Sequence, residues 1–451
     1  MSEWTYEQAA HLLRRAGFGG TPDDVEFLLR LGREGAVDYL VNYERVDDSA
    51  MERALETQRF LEVERGRQLS LGQIQQWWLY RMLHTRRPLL EKMVLFWHDH
   101  FATAVSKVVS RELMLRQNEL FRRLALGNFR ELLVEVSKDP AMILWLDNNT
   151  NVKGHPNENY ARELFELFSM GIEDVITGEP NYTERDIQEA ARAFTGWTVR
   201  RGHFFFNGRQ HDYGTKTVLG ETGEFNGEDV VDIVVKQRAT GRYLAKKLWE
   251  YFVYPDPEPE IIEEVADVYF ESHYDLRAVV RYILLHDAFY SERALFANVK
   301  SPVEFVVGAI KHLRMEVPPR FLLGPLALME QVLFNPPTVA GWDWGLSWIN
   351  TATLLVRYNA ASALTSARAR DVRFDPTRLL GSGEFKSPEE VVDRLLWALG
   401  PLRVPEATRS ALVEFLAQGS GGAFVLDRRT LDRQVRGLVH LILTLPEYQL
   451  N

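Results

Sequence analysis

The sequence predicts a mainly α fold: a multi-helix globular body with long aromatic and polar loops and at most a small β-hairpin. Helix-start signals recur along the chain. Thr5-Tyr6-Glu7-Gln8, Thr21-Pro22-Asp23-Asp24, Thr183-Glu184-Arg185-Asp186, Ser301-Pro302-Val303-Glu304 and Ser387-Pro388-Glu389-Glu390 each place an acceptor three residues after an N-cap. Three of them add proline at the first helical position. Strand-like alternation is confined to the short runs 203–206 and 217–219.

Apolar spacing places helices over 6–16, 22–31, 50–66, 70–84, 88–104, 109–124 and 127–136. A second series follows over 227–237, 241–253, 258–270, 274–286, 301–314, 320–333 and 350–367. Arg14-Arg15-Ala16-Gly17-Phe18-Gly19-Gly20 closes the first helix, its arginines suiting the negative helix end and its glycines the turn. An anion-binding loop is the alternative reading of that stretch. Residues 1–370 read as the main helical domain, with two packed subunits meeting near 140–220. A linker at 371–386, carrying Pro376, Gly381, Ser382 and Gly383, leads to a C-terminal helical unit over 387–451.

Several functions are made remote by composition. A formal net charge of −10 leaves no basic excess for nucleic acid. The absence of cysteine removes disulfides, thiolate nucleophiles and cysteine-ligated metal sites. No stretch of about 18 apolar residues suggests a membrane span. The N-terminus shows no signal-peptide pattern, so a cytoplasmic protein is expected, or an exported one if a leader has been removed.

The stretch Asn157–Gly171 is the centre of the functional reading. As a helix it puts Asn159, Arg162, Glu163 and Glu166 on one polar stripe, opposite Ala161, Leu164, Phe165 and Phe168. Asn157 or Asn159 caps its start, and Gly171 suits the left-handed turn after its end. The stripe is either a solvated face with ordinary ion pairs or part of a site. Upstream, His98 and His100 flank an apolar face at a spacing that forbids shared chelation in a regular helix. They are candidate metal ligands only if the helix ends near Trp97, and otherwise core-margin histidines. Asp147, Asn149 and Asn151 offer oxygen ligands or an Asx-rich turn. Downstream, the long loop 201–223 carries His211, Asp212 and Lys216, the makings of a lid. The connector Phe334–Asn350 holds Trp342, Trp344 and Trp348 among two prolines and two glycines. It reads equally as a sugar-stacking wall or as a loop pinned by its tryptophans.

Phe96-Trp97-His98-Asp99-His100-Phe101, the Asn157–Gly171 segment, Tyr182-Thr183-Glu184 with Phe194-Thr195-Gly196-Trp197, His211-Asp212-x-Gly-x-Lys and Asn335-Pro336-Pro337-x-x-x-Gly341-Trp342 occur in order. Together they resemble a bacterial family catalogued as domain of unknown function 1800, over roughly residues 6–367 and more loosely beyond. The resemblance implies a mostly helical protein without a settled activity. Many relatives look exported and are encoded beside a sulfatase-like or phosphatase-like partner, a setting from which this chain departs in lacking a leader.

The expected function is an enzyme with a polar, metal-assisted site hydrolysing an anionic or glycan-type substrate. Glu163 and Glu166 would be ligands or general acid and base, and Arg162 would orient the substrate. His98 and His100 would hold a divalent metal, and His211, Asp212 and Lys216 would close over the site. Asn157, Asn159, Trp197, Trp342 and Trp348 would bind substrate. The alternative is a non-catalytic scaffold binding a glycan or a partner protein. A minor alternative is a haem-dependent, peroxidase-like oxidoreductase, for which no proximal histidine is identifiable.

Overall fold

The computed structural model describes residues 4–64, 66–369, 372–418 and 424–451. Residue 65, inside the expected helix 50–66, and residues 370 and 371, at the domain-to-linker junction, lie outside the described residues. So do residues 1–3 of the main domain and 419–423 of the C-terminal unit.

The capping grammar forms as expected. Thr5 and Gln8, Thr21 and Asp24, Thr183 and Asp186, and Ser301 and Glu304 make reciprocal boxes at the starts of Tyr6–Arg15, Pro22–Val41, Glu184–Ala193 and Pro302–His312. Ser387 caps Pro388–Ala398 through the Glu390 N–H. The fold is mainly α, with two small antiparallel pairs rather than one hairpin. Trp197–Arg200 pairs with His203–Phe206, and Lys216–Val218 with Glu221–Gly223.

Boundaries shift where tertiary contacts overrule local pattern. The expected helix 22–31 continues to Val41 through a kink at Gly32, because Ala36, Val37, Leu40 and Val41 carry the buried face onward. The expected helix 50–66 stops at Gln58, beyond its last buried residue Leu55, with Arg59 in a left-handed turn. The expected helix 88–104 ends at His100, and a separate turn follows at Val105–Val108. The expected helix 320–333 reduces to Pro319–Phe321 and Leu323–Leu328.

Burial is continuous from Ala9 to Tyr448. The segment expected as a linker packs: Phe374, Leu379 and Leu380 are buried. Helix Thr351–Ser366 lies against Arg436–Thr444, and Leu450 bridges to Val299.

Charge is buried with the apolar residues. Arg15, expected to serve its own helix end, donates to the carbonyls of Tyr251 (2.6 Å) and Phe252 (2.8 Å) and so caps Arg238–Phe252. Arg14 donates to the Gly400 carbonyl at 3.0 Å. Lys92 on Pro88–His100 forms a fully buried ion pair with Glu304. Removing one partner of such a pair strands the other charge. Glu304→Ala is therefore expected to lower stability by about 3–5 kcal/mol, read as a fall in the urea midpoint at unchanged slope. A loss below about 1 kcal/mol would mean that the pair is solvated, as surface pairs are.

Candidate functional site

Helix Asn159–Glu166 follows directly from its pattern. The Asn157 carboxamide accepts the Asn159 N–H at 3.0 Å, and Tyr160, Ala161, Leu164 and Phe165 are buried. The N–H groups of Met170 and Gly171 both return to the Phe165 carbonyl at 3.0 Å. Gly171 takes φ 78° against the Tyr243 ring, where a Cβ would stand 3.0 Å away. Asn157 also donates to Thr150 Oγ1 at 3.1 Å and Asn159 is exposed; the N-cap position falls to Glu158, without a side-chain cap bond, and to neither asparagine.

On the polar stripe, Arg162 is fully engaged. It forks onto Glu184 at 3.0 and 2.8 Å and reaches Glu158 at 3.3 Å. Glu163, Glu166 and the Tyr182 hydroxyl differ: none has a hydrogen-bond partner among the described residues. Burial, reinforced by Glu166 and opposed by Arg162, pushes the Glu163 carboxyl up to about 7. Burial and then Glu166 raise the Tyr182 phenol to about 12. A half-buried carboxyl that protonates near neutrality, as Glu163 does, is suited to give and take a proton.

The loop group is a closed knot. His211 is buried, and its Nδ1–H donates to the Thr195 carbonyl at 2.8 Å. Asp212 accepts from Arg192 Nε and from the Gly214 N–H, both at 2.8 Å, and Arg192 holds it down at about 2. Lys216 donates to the carbonyls of Asp212 (2.6 Å) and Gly214 (2.9 Å), and burial lowers its ammonium. The charges of Asp212 and Lys216 are spent on shaping the loop. Trp197, at its root, is buried edge-on between Phe194 and Phe204.

The histidines take separate partners from an unbroken helix. His98 Nε2 accepts the Phe334 N–H at 2.9 Å, while His100 Nε2–H donates to the Phe168 carbonyl at 3.1 Å. Burial depresses both rings, His98 to about 3, so both are neutral. Between them, Asp99 accepts the Trp342 N–H at 2.8 Å and the Trp344 indole N–H at 2.6 Å. Gly341 adopts φ 86° there, and a Cβ would stand 2.7 Å from the Asp99 carbonyl oxygen. Trp342 and Trp348 are 5% and 3% exposed, so the connector is pinned by its tryptophans and presents neither as a platform.

Among the described residues no side chain-to-side chain hydrogen bond or ion pair joins the carboxyl stripe, the loop group and the histidines to one another, and no three His, Asp or Glu side chains converge as a metal cage. A family model described as a protein of unknown function, DUF1800, matches residues 11–450. The chain belongs to the DUF1800 family. No curated protein and no solved structure matches it.

Of the DUF1800 chain's three candidate groups, the stripe is the one with acid/base side chains lacking a hydrogen-bond partner among the described residues: Glu163, Glu166 and Tyr182. Helical spacing was enough to find the two carboxyls. Tyr182 lacked any signal beyond adjacency to the Thr183 cap. Asp99 was hidden between two histidines, because its partners lie more than two hundred residues away, at |i−j| of 243 and 245.

Two outcomes follow from this geometry. Gly341→Ala is expected to cost about 1–3 kcal/mol and to red-shift tryptophan emission as the connector detaches from Asp99; unchanged emission would show that the pin holds without glycine. Glu163 sets a pH dependence. Between its ordinary 4.5 and its native value of about 7, the folded state keeps a proton that the unfolded chain has lost. Stability from this group is thus full at low pH and falls as pH rises through that window. Glu163→Gln removes the fall, so the melting temperature of the variant relative to the parent is expected to rise from about pH 4 to about pH 8. A flat difference would show that the carboxyl is unshifted.

Proposed function

We propose that this protein is a hydrolase using Glu163 as general acid and Glu166 as general base on a neutral, glycan-type substrate. The observation that carries the reading is the half-buried, unbonded Glu163 carboxyl poised at about 7 beside a second unbonded carboxyl. Glu163 would give its proton to the leaving oxygen as the glycosidic C–O bond breaks. Glu166 would take a proton from the water that forms the new C–O bond. The Tyr182 hydroxyl offers a further hydrogen bond to the substrate. Arg162, saturated by Glu158 and Glu184, would hold the stripe in place rather than bind an anion.

Charge supports a neutral substrate over an anionic one. Four glutamates, Glu158, Glu163, Glu166 and Glu184, surround one guanidinium, and such a surface repels phosphate and sulfate esters. The His98 and His100 rings, engaged elsewhere, leave the proposed steps to the carboxyls. The second reading, a non-catalytic binding protein, is favoured by one specific observation: Arg162 of the stripe is spent on ion pairs with Glu158 and Glu184.

The test is hydrolysis of a panel of neutral oligosaccharides and aryl glycosides. Glu163→Gln is expected to retain its fold by circular dichroism and to lose activity by about 10²–10⁴-fold. Activity that survives the substitution, or a parent inactive on every neutral glycan but able to bind one, would replace the enzyme reading with the binding one.

A further inference from the structure

A cleft lies away from the carboxyl stripe, between helix Pro22–Val41, the end of helix Leu71–His84 and the end of helix Pro302–His312. Its volume of about 530 Å3 is that of a small-molecule site. Leu13, Leu28, Leu40, Leu83, Ile310 and Met315 supply an apolar lining, with Phe27 and Tyr39 in edge contact along one wall.

The polar groups around this lining are rich in unmet donors. Lys311 is half-buried, yet its ammonium makes no hydrogen bond or ion pair with any described residue. The acids that act on it hold other donors, Asp24 through Oδ2 alone and Asp48 through both oxygens. Asp24 accepts the N–H and hydroxyl of Thr21 at 2.8 and 2.7 Å, and Asp48 accepts the Thr85 hydroxyl at 2.6 Å and the Arg86 N–H at 3.0 Å. They act on Lys311 only through space, and burial still lowers its ammonium. Arg314 Nε is buried without a partner while its Nη2 reaches Asp23 at 3.3 Å. Arg86 is exposed at the rim, reaching the Asp47 carbonyl at 3.5 Å and the Tyr39 hydroxyl. Glu316 is the one acid left free of hydrogen bonds; it is exposed and 4.0 Å from His84 Nε2.

An ammonium that lines a cleft and has no protein acceptor is open to an anion. Beside an apolar lining, the missing acceptor belongs to a molecule that also has an apolar body. We propose that this cleft binds a single-chain amphiphile with one anionic head, its hydrocarbon on the leucine lining and its head on Lys311, with Arg314 and Arg86 assisting. A carboxylate and a phosphate monoester share the required chemistry. Glu316 disfavours a second negative group at the outer lip. This site is independent of the carboxyl stripe.

The experiment is calorimetric titration of the full chain with decanoate, decyl phosphate, decanol and decyltrimethylammonium. The two anions are expected to bind about tenfold or more tighter than decanol, the range of one charge-assisted hydrogen bond. The cation is expected not to bind. Decanoate tighter than decyl phosphate assigns a carboxylate head, and the reverse a phosphate one. Lys311→Met, which keeps the side chain's length and removes its charge, is expected to bring the anions down to the decanol level. Lys311→Arg is expected to recover most of the difference. Equal binding of all four probes, absence of anion binding to the parent, or undiminished anion binding by folded Lys311→Met would overturn the proposal. The parent titrations decide it alone if the variant does not fold.

Discussion

Glu304 is a carboxylate in the middle of a hydrophobic core, and the chain is arranged around the need to keep it compensated. Burial alone would protonate it. Lys92 and Arg15 outweigh that cost and hold it in the charged state. The same carboxylate closes the capping box of Pro302–His312 by accepting the Ser301 N–H at 2.7 Å. One side chain thereby joins the first helix, the helix bearing His98 and His100, and the helix leading to the cleft.

Cations outnumber Glu304 in this region, and carbonyls and aromatic faces take up the excess. Lys300 donates to the Tyr448 carbonyl at 2.6 Å and lies 4.0 Å from the centre of its ring. Arg357 donates to the Lys300 carbonyl at 2.7 Å and sits over Phe305. The Lys300 contacts hold Tyr448 and Gln449 of the C-terminal segment against the main body. A buried charge network of this kind demands that every partner be present together.

The rigidity of that centre bears on function. The helix held by Lys92 at one turn presents Asp99 at its last, where it fixes the tryptophan connector. The loop knot around Asp212 and Arg192 shapes the opposite flank. Residues that look reactive when written as a motif are thereby occupied in folding. Among the described residues, Glu163 and Glu166 of the stripe and Lys311 of the cleft keep side chains without hydrogen-bond partners.

The sequence by itself determined the helical class, four reciprocal caps, the two faces of Asn159–Glu166 and the glycine that ends it. All of these are local, set by neighbours within about four residues. It also showed that His98 and His100 could not share an ion within a regular helix. Only the tertiary structure decided which polar residues are free. His211, Asp212 and Lys216 lose their donors and acceptors to a fold of the loop that spacing does not encode. Arg162 loses its fork to Glu184, and Asp99 gains its role from a connector hundreds of residues away. The cleft at Lys311 is made by three helices distant in sequence, each of which alone shows only an ordinary apolar face. A side chain's chemistry depends on its solvation and partners, and those are settled only when distant segments pack.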